Sequence, residues 1–239
     1  MKKLSAIYII TAIILFCLLF IVTSLRYEAP FWDELYYLEN IQILKDLGFT
    51  KNFLLQYKGP AGPTYALVHY ILSPLTNLES PYVRLVNVVF LFFSMFLLYL
   101  TMKKINGEKA NNLVFTLSTL AIPTIYTITG MALTEIFAIF FLSIYLYLLV
   151  SAYTENKHNW IYSIVAGLSL SLAILGRQPI LVILAALPFF FIEYNNNKLK
   201  IEFKNTNFTI FLCVSFITSL IIPLAIFSLW GNIQPASEA

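Results

Sequence analysis

The sequence predicts an all-α, polytopic membrane protein with about seven transmembrane helices. Of its 239 residues, 59% are hydrophobic and only 11% are charged, whereas soluble domains carry about 25% charged residues. The mean hydropathy is +0.80, and several apolar runs reach the ~20 residues that a helix needs to cross a bilayer. The net charge of +3 is spread over short loops, so the chain has no basic patch of the kind that binds nucleic acid.

The first predicted span covers residues 4–25, an apolar run that follows Lys2 and Lys3. A secretory signal has a shorter apolar core and a small-residue cleavage site, and neither fits this run. We therefore expect an uncleaved span with a cytoplasmic N-terminus. Residues 26–82 then form the first non-cytoplasmic loop, and residues 1–239 are expected to form one transmembrane module.

Two juxtamembrane helices are expected within this loop. Residues 30–47 place apolar side chains at a mostly helical spacing, which is typical of a helix lying along the membrane surface, and Gly48 is its expected stop. Residues 59–76 open with prolines and glycines and are interrupted again by Pro74. Their uninterrupted part is too short for a bilayer core of about 30 Å, so we expect a juxtamembrane or re-entrant helix.

Six further runs are long and apolar enough to be interpreted as spans. They cover residues 83–102, 110–128, 131–152, 160–175, 179–192 and 208–230. If the proline-rich helix does not cross, the lysines in three of the connections all fall in the cytoplasm. Those lysines are Lys103, Lys104, Lys109, Lys157, Lys198, Lys200 and Lys204. This positive-inside arrangement favours the chosen topology.

In this topology the unusual polar residues reach one non-cytoplasmic face. They are Asp33, Glu34, Arg84, Glu135, Arg177 and Gln178, with Lys58 in the loop. Ionisable residues at membrane depth usually face a cavity or a partner, and a guanidinium can hold a phosphate through two parallel hydrogen bonds. The alternatives are that Asp33 only caps a surface helix, that Glu135 is simply exposed, and that the basic residues only anchor the chain at headgroups.

Several other chemistries lack their sequence signals. Cys17 and Cys213 lie in apolar runs without metal or disulfide spacing, and His69 and His158 are too isolated for a zinc site. No nucleotide-binding loop or nucleophile elbow is present in the sequence. Any phosphate in the predicted site must therefore arrive through the membrane.

The order of the motifs resembles the GT-C superfamily of polytopic glycosyltransferases, which use polyprenyl-phosphate sugars. EAPFWDELYYLENIQ and GPTYALVHY are similar to motifs of the α-1,2-glucosyltransferase family that adds the last glucose to the lipid-linked oligosaccharide. YVRLVNVVFLFFSMFLLYL resembles the Arg-x-x-Asn span of that family, and ALTEIFAIFF and GRQPI resemble its second acidic position and its Arg-Gln motif. The protein mannosyltransferase and aminoarabinose-transferase branches share this order of motifs, but the residues within their motifs are more variable. The sequence departs from these branches at Glu135, where Asp is common.

The resemblance implies transfer of a hexose from a polyprenyl-phosphate or dolichyl-phosphate donor to a lipid-linked glycan or other acceptor, with inversion. Asp33 would act as the general base, and Glu34 and Glu135 would orient the acceptor or keep the base ionised. Arg177 would hold the donor phosphate. Gln178 lies beside it, and Lys58 and Arg84 are second choices.

The aromatic side chains next to the acidic pair have two interpretations. Trp32, Tyr36 and Tyr37 would stack on sugar faces, or they belong to the interfacial aromatic belt. The two adjacent carboxylates are suitable for a divalent metal ion. A metal is less favoured because basic residues are already available to bind the phosphate, so no cofactor is expected.

Members of the resembled family continue with further spans after the point where WGNIQPASEA ends the chain. The resemblance therefore implies a partner chain that supplies C-terminal helices, or else a truncated inactive copy. A non-catalytic polyprenyl-phosphate-binding or flippase-like membrane subunit is the other alternative. The implied location is the plasma membrane in a prokaryote or the endoplasmic reticulum in a eukaryote.

Overall fold

The computed structural model describes most of the chain as helices. The described residues are 2–25, 34–59, 61–107, 111–119, 122, 125, 128–131, 133–155, 159–195, 198–201 and 206–235. The helices are α1 (Lys2–Ser24), α2 (Glu34–Leu47), α3 (Lys51–Gln56), α4 (Thr64–Thr76), α5 (Tyr82–Asn106), α6 (Asn111–Ser118), α7 (Glu135–Glu155), α8 (Trp160–Gly176), α9 (Val182–Ala186) and α10 (Thr206–Trp230). The 3-10 segments Gln178–Leu181 and Leu187–Phe191 flank α9.

Three of the described helices, α5, α7 and α10, are long and apolar enough to cross a membrane. Shorter apolar helical stretches cover residues 9–24, 160–176 and 178–191. The expected class of polytopic helical membrane protein is therefore confirmed. The total of about seven spans stays a prediction.

A short antiparallel hairpin is added to the expected all-α class. Its strands are β1 (Ile192–Asn195) and β2 (Lys198–Ile201), and Asn195 pairs with Lys198 next to the turn. Asparagine is favoured in tight hairpin turns, and the sequence has three asparagines in a row here. The hairpin forms part of the connection between the predicted spans 179–192 and 208–230.

The predicted span 179–192 is not one regular helix. Its residues form α9 between two 3-10 segments. Pro179 and Pro188 lack the backbone N–H that an α-helix interior requires, which accounts for the interruption at both ends. The surface helix, in contrast, stops as predicted: Gly48 has φ 64°, and its N–H donates to the Leu44 carbonyl at 2.8 Å.

The long helices run antiparallel between two ends of the molecule. At the lysine end, defined by Lys104 and Glu155, the Lys104 ammonium of α5 donates to Glu155 of α7 and lies 5.5 Å from the centre of the Tyr147 ring. At the opposite end, which we call the site end, α7 begins with Glu135 and α8 finishes at Gly176. Gly176 packs against Ala138 of α7, so the two helices meet closely there.

Small residues let α8 and α10 approach each other closely. A Cβ atom at Gly167 of α8 would collide with the Thr218 hydroxyl of α10 and lie 2.6 Å from the Ser215 carbonyl. Ser163 and Ser171, one turn either side of Gly167, are both fully buried. This small-residue stripe is typical of helix pairs in membranes.

The last helix also reaches the short helix α3. Trp230, at the end of α10, donates from its indole Nε1 to the Leu54 carbonyl at 2.7 Å. Its ring stacks on Tyr57, with centroids 5.9 Å apart, and the Tyr57 hydroxyl donates to the Gly62 carbonyl at 2.9 Å. These contacts hold the segment between α2 and α4 against the end of α10.

Candidate functional site

The first residue of α2, Glu34, is held by Arg84 in the first turn of α5. Arg84 Nε donates to Glu34 Oε1 at 2.9 Å and Nη2 donates to Oε2 at 2.8 Å, while Nη1 donates to Ser80 Oγ at 3.1 Å. Glu34 is 1% exposed and Arg84 is 4% exposed. A buried bidentate pair has strong geometric preference, so these contacts fix the start of α2 against α5.

A second ion pair joins α7 to the residue after α8. Arg177 Nη2 donates to Glu135 Oε1, and the two side chains are 38% and 21% exposed. Next to this pair, Thr134 Oγ1 donates to the Gly176 carbonyl at 3.1 Å. Because the Glu135–Arg177 pair is more exposed than the Glu34–Arg84 pair, it is the one that a ligand can reach.

Contacts between α5 and α7 bring the two ion pairs to the same end of the molecule. Asn87, one helical turn after Arg84, donates from Nδ2 to the Leu133 carbonyl at 3.2 Å and to the Met131 carbonyl at 2.5 Å. Leu133 lies two positions before Glu135. Carboxylates and guanidiniums that are widely separated in sequence are therefore neighbours at the site end.

Several helices begin at this end. Helices α2, α5 and α7 begin at or just before a residue of an ion pair. Helix α4 begins here as well, because Thr64 Oγ1 donates to the Leu172 carbonyl of α8 at 2.8 Å. Helix N-termini carry partial positive charge, while the charge of each arginine is balanced by the glutamate of its ion pair. The arrangement is suited to an anionic group such as a phosphate.

Tyr65 and His69 form an aromatic layer behind the ion pairs. Both are 0% exposed, and the Tyr65 ring lies 4.4 Å from His69 and 5.3 Å from Phe137 between centroids. Burial, followed by the charge of Glu34, raises the pKa of Tyr65 well above 10, and burial lowers the pKa of His69 to about 3. Both side chains are therefore neutral near pH 7.

Lys58 and Tyr36, two residues expected in the site, have exposed side chains. The Lys58 ammonium pairs with Glu39 at 2.6 Å, and both side chains are almost half exposed. Tyr36 is 47% exposed, whereas Tyr37 is 2% exposed and lies 5.0 Å from Tyr65 between ring centroids. Because successive helical residues point about 100° apart, only one of two adjacent tyrosines can face the site.

Lys58 contributes to the loop through its backbone instead. Its N–H donates to Asn40 Oδ1 at 2.9 Å, and Asn40 Nδ2 donates back to its carbonyl. Asp33 and Trp32, the proposed base and its aromatic neighbour, lie outside the described residues.

Tyr65 and Asn87 are the residues of this site that were not predicted. Asn87 was visible in the sequence as the partner of Arg84 at spacing i, i+3, which places both on one helix face. Tyr65 had a weaker signal, its position just after the Gly-Pro-rich segment. Within the described part of the chain, no three His, Cys, Asp or Glu side chains are grouped so as to hold a metal ion, and metal independence stays a prediction.

Nearly the whole sequence is similar to a known protein family. The sequence model of a family described as dolichyl-phosphate-mannose-protein mannosyltransferase, PMT, matches residues 4–235. The chain belongs to this family. PMT-family proteins are membrane glycosyltransferases that use dolichyl-phosphate sugar donors, so the GT-C resemblance is confirmed at that level. The closer likeness to the α-1,2-glucosyltransferases stays a prediction. Searches of curated proteins and of solved structures gave no significant match.

Proposed function

We propose that this PMT-family chain transfers a hexose from a polyprenyl-phosphate donor to a hydroxyl of a glycan or other acceptor on the non-cytoplasmic face, with inversion. The observation that carries the proposal is the presence of two carboxylate–guanidinium pairs, one buried and one accessible, at a single end of the molecule. The accessible pair is suited to an anionic donor. The buried pair anchors the residue that follows the proposed base.

The acceptor hydroxyl needs a base because its pKa lies far above neutral. Asp33 directly precedes Glu34 in the sequence, and a carboxylate within hydrogen-bond reach is suited to accept that proton. Glu34 is less suited, since both of its carboxylate oxygens already accept hydrogen bonds from Arg84. We therefore assign the base to Asp33 and the positioning of α2 to Glu34.

The leaving group needs a cation more than a proton, because the donor phosphate is already charged. Arg177 is the suitable guanidinium, since its side chain is 38% exposed and fork geometry favours phosphate. Arg84 is committed to Glu34 and Ser80. Glu135 acts as the counter-ion of Arg177 until the phosphate binds.

The proposed step is a single displacement at the anomeric carbon. The acceptor oxygen forms a bond to that carbon as its proton passes to Asp33. The bond from the anomeric carbon to the phosphate oxygen breaks, and its electron pair leaves with the polyprenyl phosphate held by Arg177. Attack opposite the departing phosphate inverts the anomeric configuration.

The substitution Asp33→Asn tests the assignment of the base. Sugar transfer is expected to fall by at least about 100-fold, a typical contribution of general base catalysis, while binding of polyprenyl phosphate is retained. Asp46→Asn is the matched control, because Asp46 is an exposed aspartate of α2 that accepts a hydrogen bond from Gln42 at 3.2 Å. Normal transfer by Asp33→Asn in a membrane assay would overturn the assignment of the base to Asp33.

The substitution Arg177→Ala tests the phosphate site. Binding of polyprenyl phosphate to the purified protein is expected to weaken by roughly tenfold or more, as for loss of a charge-assisted hydrogen bond. Lys58→Ala is the control and is expected to bind normally, since Lys58 pairs with Glu39 on the exposed surface. Unchanged binding by Arg177→Ala would point to a purely structural role for this ion pair.

A further inference from the structure

Buried polar atoms around the Glu135–Arg177 pair have no hydrogen-bond partner among the residues that the structure describes. They are the Tyr65 hydroxyl, Asn87 Oδ1, Glu135 Oε2 and Gln178 Nε2. Native proteins pair the large majority of their buried polar atoms, and leaving one unpaired is costly. Four such atoms in one region are therefore available to form hydrogen bonds with a ligand.

Each of the other three residues is linked to Glu135 through a contact or a sequence neighbour. Gln178 follows Arg177, which donates to Glu135. Asn87 donates to the carbonyl of Leu133, two positions before Glu135. The Tyr65 ring contacts Phe137, two positions after Glu135, with centroids 5.3 Å apart. Glu135 is therefore the centre of the group.

The orientation of two of these side chains is fixed by their other contacts. Asn87 Nδ2 donates to two backbone carbonyls, so its Oδ1 must be the unpaired acceptor. Tyr65 sits between the rings of Tyr37 and His69. It also lies in the first turn of α4, next to Thr64, which is bonded to α8. Burial keeps its hydroxyl protonated, so this hydroxyl can donate.

The hydrogen-bond donors and acceptors among these four atoms indicate which class of ligand they bind. The group offers an amide donor at Gln178, a carboxylate acceptor at Glu135, an amide acceptor at Asn87 and a phenol that can do both. A phosphate only accepts hydrogen bonds when ionised, and a polyprenyl chain does neither. Sugar hydroxyls donate and accept in the same small volume, so they match the mixture.

We propose that Tyr65, Asn87, Glu135 and Gln178 form a subsite that binds the hydroxyls of the donor's sugar, directly beside the phosphate site at Arg177. This inference rests on the proposed function. In this arrangement Arg177 binds the charged phosphate of the donor. The four buried atoms bind its neutral sugar ring. Tyr65 and Asn87 thereby become substrate-binding residues.

The test compares two lipids in the catalytically inactive Asp33→Asn background, so that nothing turns over. Affinity is measured for dolichyl-phosphate mannose and for dolichyl phosphate without sugar. Tyr65→Phe removes only the hydroxyl and keeps the ring, and Gln178→Met removes only the amide. Each is expected to weaken binding of the sugar-loaded lipid by roughly five- to tenfold, the value of one buried hydrogen bond, and to leave the bare lipid unaffected.

Tyr145→Phe is the matched control, because Tyr145 is another fully buried tyrosine that packs in a different apolar cluster. It is expected to change neither affinity. Thermal unfolding of each variant reports whether it folds, and Gln178→Met provides the test if Tyr65→Phe does not.

The outcomes separate the subsite from the proposed function. Equal loss of affinity for both lipids, or no loss for either, in the folded variants would overturn the sugar subsite alone. Equal affinity of the parent protein for the two lipids would also overturn the subsite and leave phosphate binding intact. A parent protein that binds neither lipid would overturn the proposed function together with the subsite.

Discussion

At the scale of single residues, the two ion pairs of the site consist of the same residue types and differ in environment. The Glu34–Arg84 pair is almost fully buried, whereas the Glu135–Arg177 pair is partly exposed. Burial makes an ion pair costly to break, and exposure lets a ligand compete with it. We therefore expect the first pair to position α2 and the second to be available to the donor.

The buried pair can be compared with an exposed pair whose glutamate, Glu39, also lies in α2. Arg84→Met removes the two hydrogen bonds that Arg84 donates to the buried Glu34 carboxylate, and we expect the free energy of unfolding to fall by about 3–5 kcal/mol. Lys58→Met breaks the Lys58–Glu39 pair, in which both side chains are nearly half exposed, and should cost no more than about 1 kcal/mol. Unfolding in detergent, followed by circular dichroism, measures both.

The double variant Glu34→Gln with Arg84→Met supplies the control for that comparison. Removing both charges should recover much of the stability that Arg84→Met loses, because no charge is then left unpaired. If Arg84→Met and Lys58→Met cost the same, the burial argument for the Glu34–Arg84 pair is wrong.

The sequence allowed these residues to be assigned to one face but not to be paired. Alternation of spans places Arg84 and Glu135 at the same side of a membrane, and it says nothing about which carboxylate each guanidinium contacts. That choice depends on where α2 lies, and its position follows from tertiary contacts such as Asn40 with Lys58. Tyr37 illustrates the same limit, since adjacent tyrosines in α2 could not be distinguished without knowing the buried face.

At the scale of elements, α8 and α10 depend on one glycine. The Cβ of an alanine at Gly167 would collide with Thr218 and lie 2.6 Å from the Ser215 carbonyl. We expect Gly167→Ala to destabilise the protein by about 1–3 kcal/mol, as for other overpacked sites. Thermal unfolding measures the effect.

Two further variants make this expectation specific. Leu168→Ala is the control, since Leu168 is 40% exposed and should have a small effect. Adding Thr218→Ala to Gly167→Ala should restore part of the stability, because the nearest of the three colliding atoms, the Thr218 hydroxyl oxygen, is gone. A fully stable Gly167→Ala protein would show that α8 and α10 do not pack as closely as described.

The helices could be predicted from the sequence, whereas the pairs of helices that pack against each other could not. The run 160–175 identifies α8 by its apolarity, and the spacing of Ser163, Gly167 and Ser171 marks a small-residue face. Which helix packs there could not be read from the sequence, because several apolar runs are equally long. The break around α9 was foreseeable from Pro179 and Pro188, yet hydropathy alone favoured one continuous span.

At the scale of the whole molecule, the two glutamate–arginine pairs and the Lys104–Glu155 pair occupy opposite ends. The site end holds Arg84 and Glu135, and the lysine end holds Lys104 and Glu155. Helices α5 and α7 connect these ends and are long enough to cross a bilayer. We therefore expect the two ends to be exposed on opposite sides of the membrane.

Cysteine labelling checks this arrangement. In a protein with Cys17→Ser and Cys213→Ser, single cysteines are introduced at Lys51, an exposed residue near the site end, and at Thr154, an exposed residue near the lysine end. A membrane-impermeant maleimide added outside intact cells should label the first and reach the second only after permeabilisation. Labelling of both from the same side would contradict the topology on which the site depends.

The end of α10 has a consequence for any shortened form of this protein. Trp230 holds the Leu54 carbonyl and stacks on Tyr57, whose hydroxyl in turn holds Gly62. Tyr65 lies three positions after Gly62, so these contacts help to position it. Removing Trp230 and the residues after it would therefore weaken the contacts that position Tyr65 in the proposed sugar subsite, although Trp230 itself contacts no substrate.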